Sequence, residues 1–137
     1  MTRIGAFCFL AALLSTLGAG AFASDLAGST WRPVRIGPVE LDAEINLSME
    51  FSAGGRFSAN GGCNLFVGAY RETGGSAIEF WQIGVTLRSC ARKMGALDNA
   101  FLVSLKEITN FVRVGNDLLL KSHDGTEMVR LVRVDLY

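Results

Sequence analysis

From Ile45 to Phe51 the chain alternates strictly. Ile45, Leu47, Met49 and Phe51 are apolar, with Asn46, Ser48 and Glu50 between them. A period of two is the pattern of a strand that buries one face. Ser52-Ala53-Gly54-Gly55 then reverses the chain, and Phe57 and Ala59 continue on a return strand, so the two form a hairpin. Upstream, residues 26–31 lead through Trp31 to Val34 and Ile36, and Gly37-Pro38 ends that strand. Downstream, Phe66, Gly68 and Tyr70 alternate with Val67, Ala69 and Arg71. After a turn at Thr73-Gly74-Gly75-Ser76, Ile78 and Phe80 alternate with Glu79 and Trp81. Residues 83–87 read as a further short extended piece reaching Cys90, with Gly84 marking a bulge or corner.

The period then changes. Met94, Leu97, Phe101, Leu105 and Ile108 recur at three and four residues, Leu102 widens the stripe, and Asp98, Lys106 and Glu107 lie off it. That pattern predicts one amphipathic helix of about four turns, from near Gly95 to near Asn110, whose apolar stripe covers an open face or mouth of the sheet. Strand patterns return at residues 111–114, 118–121 and 127–136, separated by Gly115-Asn116-Asp117 and by His123-Asp124-Gly125-Thr126. Short turns make successive strands antiparallel neighbours. The reading is a mainly β chain: a compact antiparallel β-barrel-like domain of about eight strands, closed or nearly so, with one amphipathic helix packed on it.

The first residues follow a different rule. Arg3 precedes an apolar run from Ile4 to Leu17, and Gly18-Ala19-Gly20-Ala21-Phe22-Ala23 ends in an A-x-A pattern. This is the layout of a secretory signal peptide over 1–23, which leaves one domain over 24–137. The small-residue end and the lack of a flanking charge cluster disfavour an uncleaved membrane anchor. A periplasmic or secreted protein is therefore expected, with no membrane association after cleavage.

Charge excludes more than it suggests. The 137 residues carry 13 Lys and Arg against 13 Asp and Glu. Loss of Arg3 with the leader would leave one net negative charge. The arginines are scattered along strands, so neither a nucleic-acid footprint nor a phosphate-binding stripe is present. The glycine-rich stretches lack a following Gly-Lys-Ser and open no helix, so phosphate cradling has no support.

The densest stretch is Ala59-Asn60-Gly61-Gly62-Cys63-Asn64-Leu65-Phe66, where a glycine bend, a cysteine and an asparagine meet. Cys63 and Cys90 are the cysteines that remain after leader removal. In an exported chain their pairing is favoured over two free thiols, a redox pair or a metal site. A redox pair would call for close spacing, and a metal site for further ligands. Asn64 is expected to bond backbone groups of the bend. His123, the single histidine, falls in a Ser-His-Asp-Gly turn and is read as a turn residue rather than a member of a triad. Trp31, Phe66, Tyr70 and Trp81 could line a ligand cavity within the barrel, although filling it as core is the favoured reading. No catalytic set, cofactor site or metal site assembles from the sequence.

Here the chain resembles a known family. Gly62-Cys63-Asn64-Leu65-Phe66-Val67-Gly68-Ala69-Tyr70 is similar to the G-C-N-x-[FY]-x-G-x-Y signature of the META domain, or HslJ-like, family. The motif positions are Gly62, Cys63, Asn64, Phe66, Gly68 and Tyr70, joined by Thr86 and Cys90 of a T-x-x-x-C segment, Thr86-Leu87-Arg88-Ser89-Cys90. The opening at residues 26–31 and the 118–120 strand followed by Asp124-Gly125 are similar too. Arg88-Ser89 departs from the small or apolar residues more common before that cysteine. The resemblance implies a β-barrel-like domain with one helix, often exported, linked to heat shock, novobiocin resistance and, in some lineages, secretion and virulence. It supplies no catalytic residues.

These readings lead to an exported, non-enzymatic protein of the cell envelope with a stress-related, protective or binding role, expected as a monomer. Its partner would be an envelope protein or a small molecule, not nucleic acid. One alternative is a small-ligand carrier using the barrel interior. Others are an uncharacterised hydrolase and a protease inhibitor, which would require an exposed rigid loop, for instance beside Cys63.

Overall fold

The computed structural model describes residues 25–134. The leader expected over 1–23 lies outside these residues. The elements run β1 (Ser29–Ile36), β2 (Val39–Glu40), β3 (Ser48–Ser52), β4 (Arg56–Asn60), β5 (Leu65–Glu72), β6 (Ile78–Val85), α1 (Arg92–Glu107), β7 (Ile108–Val114), β8 (Asp117–Ser122) and β9 (Glu127–Arg133).

Eight strands form one antiparallel path in the order β6-β5-β4-β3-β1-β9-β8-β7, with β2 paired to β1 off the path. The sheet is thus two meanders joined where the first long strand meets the last. Trp31 lies opposite Arg133 and Ile36 opposite Val129. The sheet curls into a half-barrel whose two edge strands approach at one end. There Ala77 bridges Asn110, and the Phe111 N–H donates to the Ser76 carbonyl at 2.9 Å.

The period-two residues face inward as their spacing requires. Met49 and Phe51 of β3, Phe57 and Ala59 of β4, and Phe66 and Tyr70 of β5 are buried, while Glu50, Ser58, Val67 and Arg71 face out. Rings fill the space between. Phe51 meets Tyr70 edge-on at 4.9 Å, Phe57 meets Phe80 at 5.1 Å, and Phe66 meets Phe101 of the helix at 5.7 Å. T-shaped pairs at these separations are favoured by the ring quadrupole.

Three details differ from the sequence reading. The helix begins three residues earlier than expected and stops at Glu107, because Ile108, assigned to the helical stripe, opens β7 and pairs with Ser122. The stripe and the strand each place Ile108 inward, so burial alone does not distinguish them. Residues 83–85 belong to β6 rather than to a separate piece. The irregularity lies at Gln82, with φ of 52°, opposite the Val67/Ala69 register shift, and not at Gly84. Beyond that bulge the facing inverts, which carries Ile83 and Val85 toward the core and made one strand look like two. Finally, regular pairing of β3 starts at Ser48, so Ile45 and Leu47 precede the strand.

Candidate functional site

The bend after β4 is built first from local polar groups. Asn60 Oδ1 accepts the Gly62 N–H at 2.9 Å, and the Gly61 N–H donates to the Asn64 carbonyl at 3.0 Å. Gly62 holds φ of +100°, which other residues rarely adopt. A Cβ on Gly62 would fall on the Met94 side chain, and a Cβ on Gly61 on the Asp98 carboxylate and the Phe66 ring. Met94 and Asp98 lie one helical turn apart, so the two glycines clear the space into which a single helix face docks.

Asp98 is the centre of that contact. It is 6% exposed. Its Oδ1 accepts the backbone N–H groups of Asn64 at 2.9 Å and of Cys63 at 3.3 Å, and its Oδ2 accepts the Asn64 side-chain amide at 3.0 Å. The sequence reading placed Asp98 off the apolar stripe, and this is corrected. Met94, Asp98, Phe101 and Leu105 are spaced by four, three and four residues, which puts the aspartate on the buried face. The spacing was visible; the polarity of the residue directed it outward. Burial is tolerated because the bend supplies three donors to the carboxylate.

From Asn64 the network continues. Its Oδ1 accepts the Thr86 hydroxyl at 3.0 Å and the Arg88 backbone N–H at 2.7 Å. The Thr86 hydroxyl in turn accepts the Leu65 N–H at 3.1 Å, and the Thr86 N–H donates to the Leu65 carbonyl at 3.1 Å. The Asn64 side chain was expected to bond backbone groups of its own bend; the backbone group it holds is instead the Arg88 N–H, some twenty residues away, while Asn60 and Asp98 accept the N–H groups of the bend. Cys63 and Cys90 are joined by a disulfide, with Cα atoms 5.9 Å apart. Helix, bend and the segment from Thr86 to Cys90 are thereby tied into one unit.

That segment has no regular structure, and residues 86–91 are exposed. Leu87 is 97% exposed, between two residues that Asn64 holds. Its basic neighbours are Arg88, Arg92 and Lys93. Signals for this loop in sequence were slight, because a leucine between polar residues reads as one more strand position.

The remaining candidates fall elsewhere. Trp31, Phe66 and Tyr70 are core residues; Trp31 donates its indole N–H to the Ser29 hydroxyl at 2.6 Å. Trp81 does not share their inward-facing side. It lies on the outer face with the Arg71 guanidinium 5.2 Å from its ring centre, and Arg71 also pairs with Glu79 at 2.6 Å. Gly68 faces the β6 bulge. His123 is exposed in the β8–β9 turn, where the Ser122 hydroxyl donates to Asp124 Oδ1 at 2.5 Å and the Thr126 N–H donates to it at 3.1 Å. Those bonds, the Ser122 hydroxyl first, lower the Asp124 pKa from the usual 3.8 to about 2.

A groove of about 380 Å³ runs outside the barrel between the helix and the β1–β2 hairpin, floored by Ile36, Leu41, Ile45, Leu97 and Ala100. No group of three or more His, Cys, Asp or Glu among the described residues is placed to hold a metal ion. Every buried side-chain nitrogen or oxygen among them has a hydrogen-bond partner.

Comparison with known proteins agrees with the geometry. An NMR structure of a protein from Burkholderia xenovorans superposes with a TM-score of 0.63 at 21% identity, over 88% of this chain and 97% of that one. A second NMR structure gives 0.64 at 17% identity, over 78% and 90%. The crystal structure of a DUF4847 family protein from Bacteroides vulgatus gives 0.57 at 15% identity, over 82% and 97%. At these identities the likeness is one of fold. No curated protein sequence matches. The sequence profile of the META domain matches residues 24–135, which span the bend, the disulfide and both meanders, and the chain belongs to the META domain family.

Proposed function

We propose that this protein works in the cell envelope as a non-enzymatic, stress-related binding or protective domain. One observation carries the reading. The polar and thiol groups of the bend are committed to one another: the two thiols are bonded, and both Asp98 oxygens and Asn64 Oδ1 are occupied by donors from the bend and the following loop. Such a constellation holds a surface in shape. A disulfide is favoured in oxidising compartments, and no helix among the described residues is long and apolar enough to cross a membrane; both fit export.

The test is fractionation of cells expressing the full chain, with intact mass and free thiols measured on the envelope fraction. The expected result is a chain shortened by residues 1–23 with no titratable thiol. A full-length cytoplasmic chain with free thiols would sink the export reading. Survival after heat shock then tests the protective role: deletion should lower it, and the intact gene restore it.

A further inference from the structure

The loop at Thr86-Leu87-Arg88 has a feature that fastening alone does not require. Both residues flanking Leu87 are held by one side chain, since Asn64 Oδ1 accepts the Thr86 hydroxyl and the Arg88 N–H. Asn64 is fixed in turn by Asp98, and the disulfide clamps the chain three residues beyond Leu87. Between these anchors Leu87 projects with 97% of its surface in solvent. A large apolar side chain on a rigid, exposed loop loses little conformational entropy when it enters a complementary pocket.

We infer that this loop is a substrate-like binding loop for a serine endopeptidase with an apolar specificity pocket, and that Leu87 fills that pocket. The inference deepens the binding reading proposed above and rests on it, but it is independent of where the protein resides. The same geometry would resist turnover. Hydrolysis of the Leu87–Arg88 bond consumes one water and leaves a carboxylate on Leu87 and an amine on Arg88, the enzyme's serine carrying the acyl group in between. Here the new amine would stay bonded to Asn64 and tethered through Cys90 to Cys63. The new carboxylate would stay attached to Thr86, whose N–H is bonded to Leu65. The ends cannot separate, so the amine remains placed to re-form the bond and the complex persists. An anionic membrane surface is the competing occupant suggested by Arg88, Arg92 and Lys93. It is disfavoured because a single leucine supplies little insertion energy and insertion gains nothing from a doubly pinned backbone.

The experiment titrates the oxidised full chain against chymotrypsin, whose pocket takes large apolar residues, using a small chromogenic peptide to read residual activity. Inhibition is expected, weakened roughly 10- to 100-fold by Leu87→Ala, a change at a solvent-exposed site that leaves the melting temperature unaltered. Leu87→Lys is expected to transfer inhibition to trypsin. Absence of inhibition of chymotrypsin, elastase and subtilisin overturns the inference, as does rapid cleavage after Leu87 with loss of inhibition. Leu87-dependent flotation with phosphatidylglycerol vesicles in place of inhibition assigns the loop to membranes and also overturns it. A negative result leaves the heat-survival and fractionation outcomes unaffected, so the two readings fail separately.

Discussion

Two turns in this protein are each organised by an aspartate, and they differ in what the aspartate holds. In the β8–β9 turn Asp124 accepts from Ser122 and Thr126, each two residues away, and the carboxylate itself is exposed. In the bend after β4 the carboxylate comes from Asp98, thirty-four residues beyond Asn64, and is buried. A local aspartate closes a turn that the hairpin would make in any case. A distant one decides where the helix sits, because the bend docks only when Gly61 and Gly62 leave room for Asp98 and Met94. The first kind is written in adjacent residues; the second exists only once the chain has folded.

The two turns should differ most in what loss of the disulfide does to them. Cys63 and Cys90 are 27 residues apart, and the chain-entropy account gives about 3 to 4 kcal/mol for a loop of that length. Cys63→Ser with Cys90→Ser is expected to lower the melting temperature by roughly 15 °C or more, followed by circular dichroism. Unchanged melting would mean that the distant anchor does not govern stability. Asp98→Ala comes next. It strands the Cys63 and Asn64 N–H groups at a buried contact, with an expected loss of about 2 to 4 kcal/mol in urea denaturation. Combined with the cysteine changes its effect should depart from additivity, since both fasten the same bend. Additive losses would show two independent attachments.

Asn64→Ala should cost about 1 to 2 kcal/mol and accelerate amide exchange at Arg88, while exchange in β8 and β9 stays as in the parent. Exchange rising equally everywhere would dissolve the distinction between the two regions. The smallest effect is expected at Asp124. Its pKa is depressed in the folded state, so its contribution is present above the usual 3.8 and is lost as pH falls through about 2. Asp124→Asn should flatten the melting temperature between pH 4 and pH 2 relative to the parent and change little at pH 7. A large loss at neutral pH would show that the local turn matters as much as the distant one.

What the sequence disclosed follows the same division. The hairpins, the amphipathic helix and the partnership of Cys63 with Cys90 were legible, because alternation, turn residues and cysteine number are properties of the chain as written. Asp98 was not. Its spacing from Met94 and Phe101 assigned it to the buried face, yet a carboxylate in an apolar stripe can be placed only when its donors are known, and those lie in the bend, more than thirty residues upstream. Trp81 went astray for a related reason: the inward alternation of Ile78 and Phe80 puts it outside, where Arg71 covers it. The exposed leucine at 87 was hidden in the same way, since its meaning comes from Asn64 holding both neighbours.

The pairing of β1 with β9 has a consequence for how the molecule is made. Trp31 cannot meet Arg133 until nearly the whole chain is available, and apart from the Ala77–Asn110 bridge the two meanders pair through that seam. Contacts of such sequence separation form slowly, because the entropy of closing the intervening loop is lost before any pairing compensates it. A chain made amino terminus first can therefore assemble β3 to β6 while β1 still presents an open edge. The half-barrel is complete only on arrival of the last strand, and until then the partly built sheet leaves an unpaired edge and its inward apolar face uncovered.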